Sequence, residues 1–239
     1  MKRFYKETAV DAGDGGGFRV LLDGRPMRTP AKTLLVAPTE ALAAAIAGEW
    51  HDIPEKAEIN VSYLALTRLA ATGLDRVGSQ RARVIDDTAK YGASDLLCYR
   101  ATVPESLVQR QTELWQPLLD WAAEHYGARL AVATGTTFVA QPHGALAALR
   151  SAVAAHGDLA LSALYNLTHI SGSLVIALAV SEGRLSGADA FTAAQLDELF
   201  QIERWGTDPL ATQRHEGIQR DLEACARFLA LLGNSRLRG

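Results

Sequence analysis

Leu196-Asp-Glu-Leu-Phe-Gln-Ile-Glu-Arg-Trp-Gly-Thr-Asp-Pro209 reads as the close of one helix and the start of another. At about 100° per residue, Leu196, Leu199, Phe200 and Glu203 fall on one face, the i, i+3, i+4, i+7 spacing of a core stripe. Asp208 ahead of Pro209 fits an N-cap followed by proline at the first helical position. The stripe carries a carboxylate, Glu203, where an apolar residue is expected. On the opposite side Trp205 stands among Asp197, Glu198 and Gln201, the face a helix gives to water. An inward acid and an outward tryptophan point to a surface built to hold something.

Working outward, the same period predicts helices over 143–155, 159–181, 187–205 and 209–232, with Ser186 and Asp189 spaced as a capping box. The last carries Ile218, Leu222, Cys225, Leu229 and Leu232 on one stripe, which makes Cys225 a core residue. Leu107, Leu114, Leu118 and Trp121 mark a further long helical face. The apolar run Leu174-Val-Ile-Ala-Leu-Ala-Val180 lies in a span that also holds Asn166, Thr168, His169, Ser171 and Ser173. That mixture predicts a buried central helix without membrane insertion. Arg129–Ala133 and Thr137–Ala140, around Thr134-Gly135, are expected to form a small hairpin.

Toward the N-terminus the period changes to two. Phe18, Val20 and Leu22 alternate before Asp23-Gly24, a dipeptide suited to the positive φ angles of a tight hairpin turn. Tyr5–Val10 is expected to pair with that strand, and a returning strand to contain Met27, with Pro26 and Pro30 confining it to an edge or a strand start. Pro38 and Thr39 introduce a helix through about Trp50, with Leu42, Ala45, Ile46 and Glu49 on one face. Residues 63–92 read as mainly helical. The whole is an α+β fold, an N-terminal β-rich domain with helices (1–103) followed by a mainly α-helical domain (104–239).

The chain has 239 residues, 48% apolar and 21% charged, with a formal charge of −3. That balance argues against a nucleic-acid binder, which needs a concentrated basic surface. Residues 101–239 carry 10 basic and 14 acidic side chains, so this half favours a basic partner surface. Cys98 and Cys225 form no CxxC pair and indicate neither zinc nor a disulfide framework. With no apolar signal core after Met-Lys-Arg-Phe-Tyr-Lys-Glu, the expectation is a cytoplasmic protein.

No HExxH, GxSxG, Walker A or CxxC motif occurs, and Gly13-Asp-Gly-Gly-Gly17 has neither GxGxxG spacing nor a P-loop lysine. No cofactor, metal ion or catalytic residue is expected. His169 and Ser171 point about 200° apart on a helix, so His169 reads as a satisfied buried histidine. Ser171-Gly-Ser173 reads as a place for close helix approach. Glu203 reads either as a buried acid satisfied by an arginine or backbone N–H, or as a carboxylate at a groove mouth. Trp205 reads either as an exposed anchor or as a ring folded back on the core. Glu49 and Trp50 pose the same choice.

Arg3-Phe-Tyr-Lys6, Phe18-Arg-Val-Leu-Leu-Asp-Gly-Arg-Pro-Met-Arg-Thr-Pro30, Ala47-Gly-Glu-Trp50, Asp95-Leu-Leu-Cys-Tyr-Arg-Ala101, Trp115-Gln-Pro-Leu-Leu-Asp-Trp121, Ser171-Gly-Ser-Leu174 and Asp197-Glu-Leu-Phe-Gln-Ile-Glu-Arg-Trp-Gly206 occur in that order. The ordered set resembles the assembly chaperones that act on the α subunit of the F-type ATP synthase catalytic head. The resemblance implies a chaperone; with no nucleotide motif its release is expected to be ATP-independent, by competition, and the free protein is expected to be monomeric. It would hold unassembled α subunit against aggregation until that subunit pairs with β. It also implies a mitochondrial matrix location for organellar relatives. Carried over by motif, the expected partner-binding residues are Glu203 and Trp205 with Asp197 and Glu198, and then Glu49 and Trp50. The rival readings are an enzyme with a noncontiguous interdomain site using His169, Glu203 and Arg100, and a permanent subunit of another complex.

Overall fold

The computed structural model describes residues 2–13, 15–135 and 137–233. They form two compact units: one holds the chain up to Arg81, His156–Ala163 and the segment from Arg227, the other holds Ala82–Ala155 and Leu164–Ala226.

The first unit is built on an antiparallel sheet. β1 (Thr8–Ala12) pairs with β2 (Phe18–Leu22) in the register Val10↔Val20. β3 (Arg25–Pro26) and β4 (Val36–Ala37) share the other side of β2. Asp23 and Gly24 make the β2–β3 turn at φ 48° and 73°, the pair of positive angles anticipated for that dipeptide. Asp23 also draws the incoming chain down, its Oδ1 accepting from the backbone N–H of Lys6 (2.8 Å) and Glu7 (2.9 Å). The strand expected over Tyr5–Val10 therefore begins later, at Thr8. Tyr5 turns inward, donating from its hydroxyl to Trp50 O at 2.6 Å.

Helix α1 (Glu40–His51) lies on β1 and β2. Its N-cap is Thr39, whose Oγ1 accepts from Leu42 N at 3.2 Å, and it buries Leu42, Ala43, Ile46, Ala47 and Trp50. After α2 (Ala65–Thr72) a π-helical turn, Gly73–Val77, leads into α3 (Gly78–Ala89). The widening occurs where Gly73 meets Leu159: a Cβ there would stand 2.8 Å from a Leu159 methyl.

The second unit packs helices around α7 (Leu174–Ser181), every residue of which is buried. Next to it run α4 (Glu105–Tyr126) and α8 (Gly187–Ala194), α5 (His143–Ala154) packs on α4, and α9 (Leu196–Trp205) and α10 (Pro209–Leu232) follow. α10 continues into the first unit, and so does α6 (Asp158–Ser171), in the reverse sense. None of the described helices is long and apolar enough to cross a membrane.

Three expectations change. The span 159–181 is two helices, because Gly172 takes φ 70° and Ser173 caps α7 through Ile176 N. Ser171-Gly-Ser173 is thus a helix break, not a site of helix approach. The span 187–205 divides at Gln195, whose ψ of 15° and φ of −107° leave the helical region. The hairpin over 129–140 is absent from the described residues; Thr136 of that stretch lies outside them. Gln141 instead clasps Ala131, accepting from its N–H (2.8 Å) and donating to its C=O (2.9 Å). β6 (Ala133–Thr134) then pairs in parallel with β5 (Tyr99–Arg100).

Candidate functional site

Four of the six expected binding residues stand on α9, in the second unit. Leu196 and Phe200 bury the inner side of this helix, as the sequence stripe requires. Glu203, the fourth member of that stripe, is not buried. By its level the helix has run past the core, its side chain is 54% exposed, and it takes an ion pair from Arg110 Nη1 on α4 at 2.6 Å. The inward-acid reading is corrected accordingly. One turn earlier, Phe200 is flanked by two guanidiniums, Arg204 at 4.4 Å and Arg110 at 5.3 Å from the ring centroid. Arg204 also donates to Ser106 Oγ at 3.0 Å.

Trp205, the last helical residue, is 76% exposed, and Leu210 beyond the Gly206 turn is 79% exposed. Gly206 takes φ 80°, which stops the helix and leaves the indole facing water. Both side chains present large apolar surface to water.

Asp197 and Glu198 are engaged within the unit. Asp197 Oδ1 accepts from Gln111 Nε2 at 2.7 Å, and Gln111 Oε1 accepts from Ala101 N at 2.8 Å. Glu198 is held by Arg214 Nη2 (2.6 Å to Oε1) and His215 Nε2 (2.5 Å) on α10. The Arg214 bond first, then His215, holds the Glu198 carboxyl below the usual carboxylate range against the opposing effect of burial. A depressed folded pKa contributes stability above the unfolded value, lost as pH falls through the folded one. Glu198→Gln should therefore melt below the parent at pH 7, with the gap narrowing as the pH falls into the acid range and the carboxylate takes up its proton. Half-exposure of the pair limits that gap to about 0.5–1 kcal/mol. Thermal melts over that range check it.

Beside the helix, a groove of about 290 Å³ is lined by Leu114, Leu196 and Leu199 together with Arg110, Glu113 and Thr192. Sequence reasoning missed Arg110 and His215. Both had a signal. Arg110 is three residues after Leu107 and four before Leu114, and His215 is three before Ile218, so each sits on or beside an apolar stripe.

Glu49 and Trp50, in the first unit, turn to their own chain. The Glu49 carboxylate accepts from Leu66 N (2.7 Å), Thr67 N (2.9 Å) and Thr67 Oγ1 (2.7 Å), capping α2, whose N-terminal residue offers no side-chain cap. Trp50 is 8% exposed and donates from Nε1 to Thr67 Oγ1 at 3.0 Å. Both side chains thus have hydrogen-bond partners within their own unit. The residues of the enzyme reading are separately occupied. Arg100 donates to Gln111 O and His169 Nδ1 bonds Tyr91 Oη at 2.9 Å, while Glu203 pairs with Arg110. His169 is exposed rather than buried, packed against Tyr165 at 4.2 Å.

Comparison with known proteins gives one consistent answer. The family model described as ATP12 chaperone protein matches residues 2–123. The Schizosaccharomyces pombe protein "Protein atp12, mitochondrial" is 24% identical over 227 residues, which cover 87% of this chain and 74% of that protein. Atp12 of Paracoccus denitrificans is 40% identical, with 97% of this chain and 98% of that one covered and a TM-score of 0.89. The Atu1473 protein of Agrobacterium tumefaciens is 40% identical over 97% of this chain and 86% of that one, with a TM-score of 0.90. The N-terminal sheet followed by a mostly helical remainder is the architecture of those structures.

Proposed function

Since this chain belongs to the ATP12 family, chaperones for ATP synthase assembly, we propose that it captures the unassembled α subunit of the catalytic head at the end of α9. The observation that carries this reading is the outward Trp205 at the end of the helix that also carries the surface ion pair of Glu203 with Arg110, with Leu210 exposed a few residues further along the chain. An unassembled subunit exposes apolar area that its neighbour will later cover. The indole and the leucine-lined groove offer temporary cover, and the charged pair gives the contact its selectivity. Asp197 and Glu198 act behind them, tying α9 to α4 and α10.

Release is by competition from the β subunit. An affinity near micromolar, about −8 kcal/mol, holds the client yet permits that exchange.

The test is light scattering on size-exclusion fractions of this protein with the α subunit of its own organism, followed by addition of β. A one-to-one complex that dissolves on adding β is the expected result. Trp205→Ala should leave stability within about 0.5 kcal/mol of the parent, as exposed substitutions do. It should weaken the complex at least about tenfold, or 1.4 kcal/mol. Glu203→Gln should also weaken capture more than folding. Parallel loss of fold and binding in these variants, or no complex with soluble α, would refute the reading.

A further inference from the structure

The two sides of the β2 ladder are finished differently. On the β3 side, Met27 N bonds Val20 O at 2.8 Å, and Pro26 in β3 has no N–H to offer a further strand. On the other side stands β1, with no strand beyond it among the described residues.

The register sets which backbone groups have no partner among the described residues. Asp23 N bonds Glu7 O (3.0 Å) and Gly13 N bonds Gly17 O (2.9 Å). With antiparallel alternation, Ala9↔Leu21 and Asp11↔Arg19 are the hydrogen-bonded pairs. The N–H and C=O groups of Thr8, Val10 and Ala12 consequently point away from β2, a row of three donors and three acceptors. Proteins ordinarily blunt such a row with lysine, proline, a bulge or a projecting charge. Thr8–Ala12 has no lysine or proline and pairs without a bulge. Its one charge, Asp11, is folded back onto Arg19 of β2 by two bonds of 2.8 and 2.6 Å.

We infer that the β1 edge receives an extended segment of the client subunit as an added strand. This inference rests on the chaperone reading above. A backbone ladder recognises extended conformation more than sequence, and it can be released by a competing strand, which suits a temporary holder. The side chains define the segment's chemistry. On one face Val10 neighbours the buried Val20, beneath α1, so apolar β-branched residues fit there. On the other, exposed Glu7 and Ala9 lie beside Asp11, and Glu7 favours lysine or arginine.

Residue-resolved amide exchange on the protein, free and with its α subunit, tests this. Ala9 and Asp11 should be protected in both states, whereas Thr8, Val10 and Ala12 should exchange freely alone and slow at least tenfold in the complex. Val10→Pro removes an outward donor that β2 does not use, and should weaken the complex at least tenfold. Should that variant fail to fold, the exchange pattern still decides. A complex that forms while the three amides stay unprotected would overturn this inference and leave the chaperone reading intact. Absence of any complex would overturn both. Protection of the same amides in the free protein, rising with its concentration, would assign the edge to a second copy and overturn the client strand.

Discussion

Asp95→Ala should lower the thermal midpoint by roughly 10 °C. Asp95 is completely buried in the second unit. One oxygen accepts from Leu97 N at 3.1 Å and the other from Val175 N at 3.0 Å, so one carboxylate fastens the turn before β5 to the N-terminus of α7. Burial pushes its pKa up, while Ser173 and the backbone donors pull it back. Alanine would orphan both N–H groups where water does not reach. At about 1–3 kcal/mol for each, the loss is on the order of 4 kcal/mol, or about 2–4 °C per kcal/mol for a chain of this size. Asp95→Asn keeps the shape and one acceptor and should recover about half. Melts followed by near-ultraviolet circular dichroism make the comparison, and an alanine variant within 2 °C of the parent would contradict the account.

Gly187→Ala should cost on the order of 3 kcal/mol, against the usual direction of a helix substitution. Glycine in a helix is ordinarily worse than alanine by roughly 1 kcal/mol. At Gly187, the first residue of α8, an added Cβ would stand 2.6 Å from Glu223 Cα and 3.0 Å from Glu223 N. Those are backbone atoms of α10 and cannot rotate aside, so α8 and α10 would have to separate within their unit. Gly144 in α5 provides the control, since a Cβ there meets nothing within 4 Å. Gly144→Ala should be neutral or stabilising by about 0.5 kcal/mol. Equal melting temperatures for the two alanine variants would defeat the steric argument.

Much of the fold was legible where local chemistry and tertiary packing agree. Asp23-Gly24 supplied the angles its turn needs, Ser186 and Asp189 closed a capping box, and Asp208 Oδ1 accepts from Ala211 N at 2.9 Å ahead of Pro209. Periodicity failed at the helix breaks, because Gly172 and Gln195 interrupt the backbone without interrupting the apolar pattern on either side. It failed at 129–140 because a side chain, Gln141, satisfies the backbone that a second strand would have satisfied.

At the candidate site the helical wheel found the exposed side of α9 and misjudged Glu203. A wheel gives direction around an axis, not distance along it, and it cannot show that a helix has outrun its core. The partner that explains Glu203, Arg110, is 93 residues away in sequence. Glu49 was unreadable for the same reason, since the donors it satisfies belong to the start of α2.

The outward indole gives the molecule an optical asymmetry. Of the four tryptophans, Trp50 and Trp115 are 8% and 1% exposed and Trp121 is half-buried, while Trp205 is 76% exposed. Indole emission shifts to longer wavelength as its surroundings become more polar. The red edge of the intrinsic fluorescence therefore belongs chiefly to the last residue of α9, and the blue side to rings inside the two units. Occupancy of that helix end and the integrity of the fold are carried in separate parts of one spectrum, with no label attached.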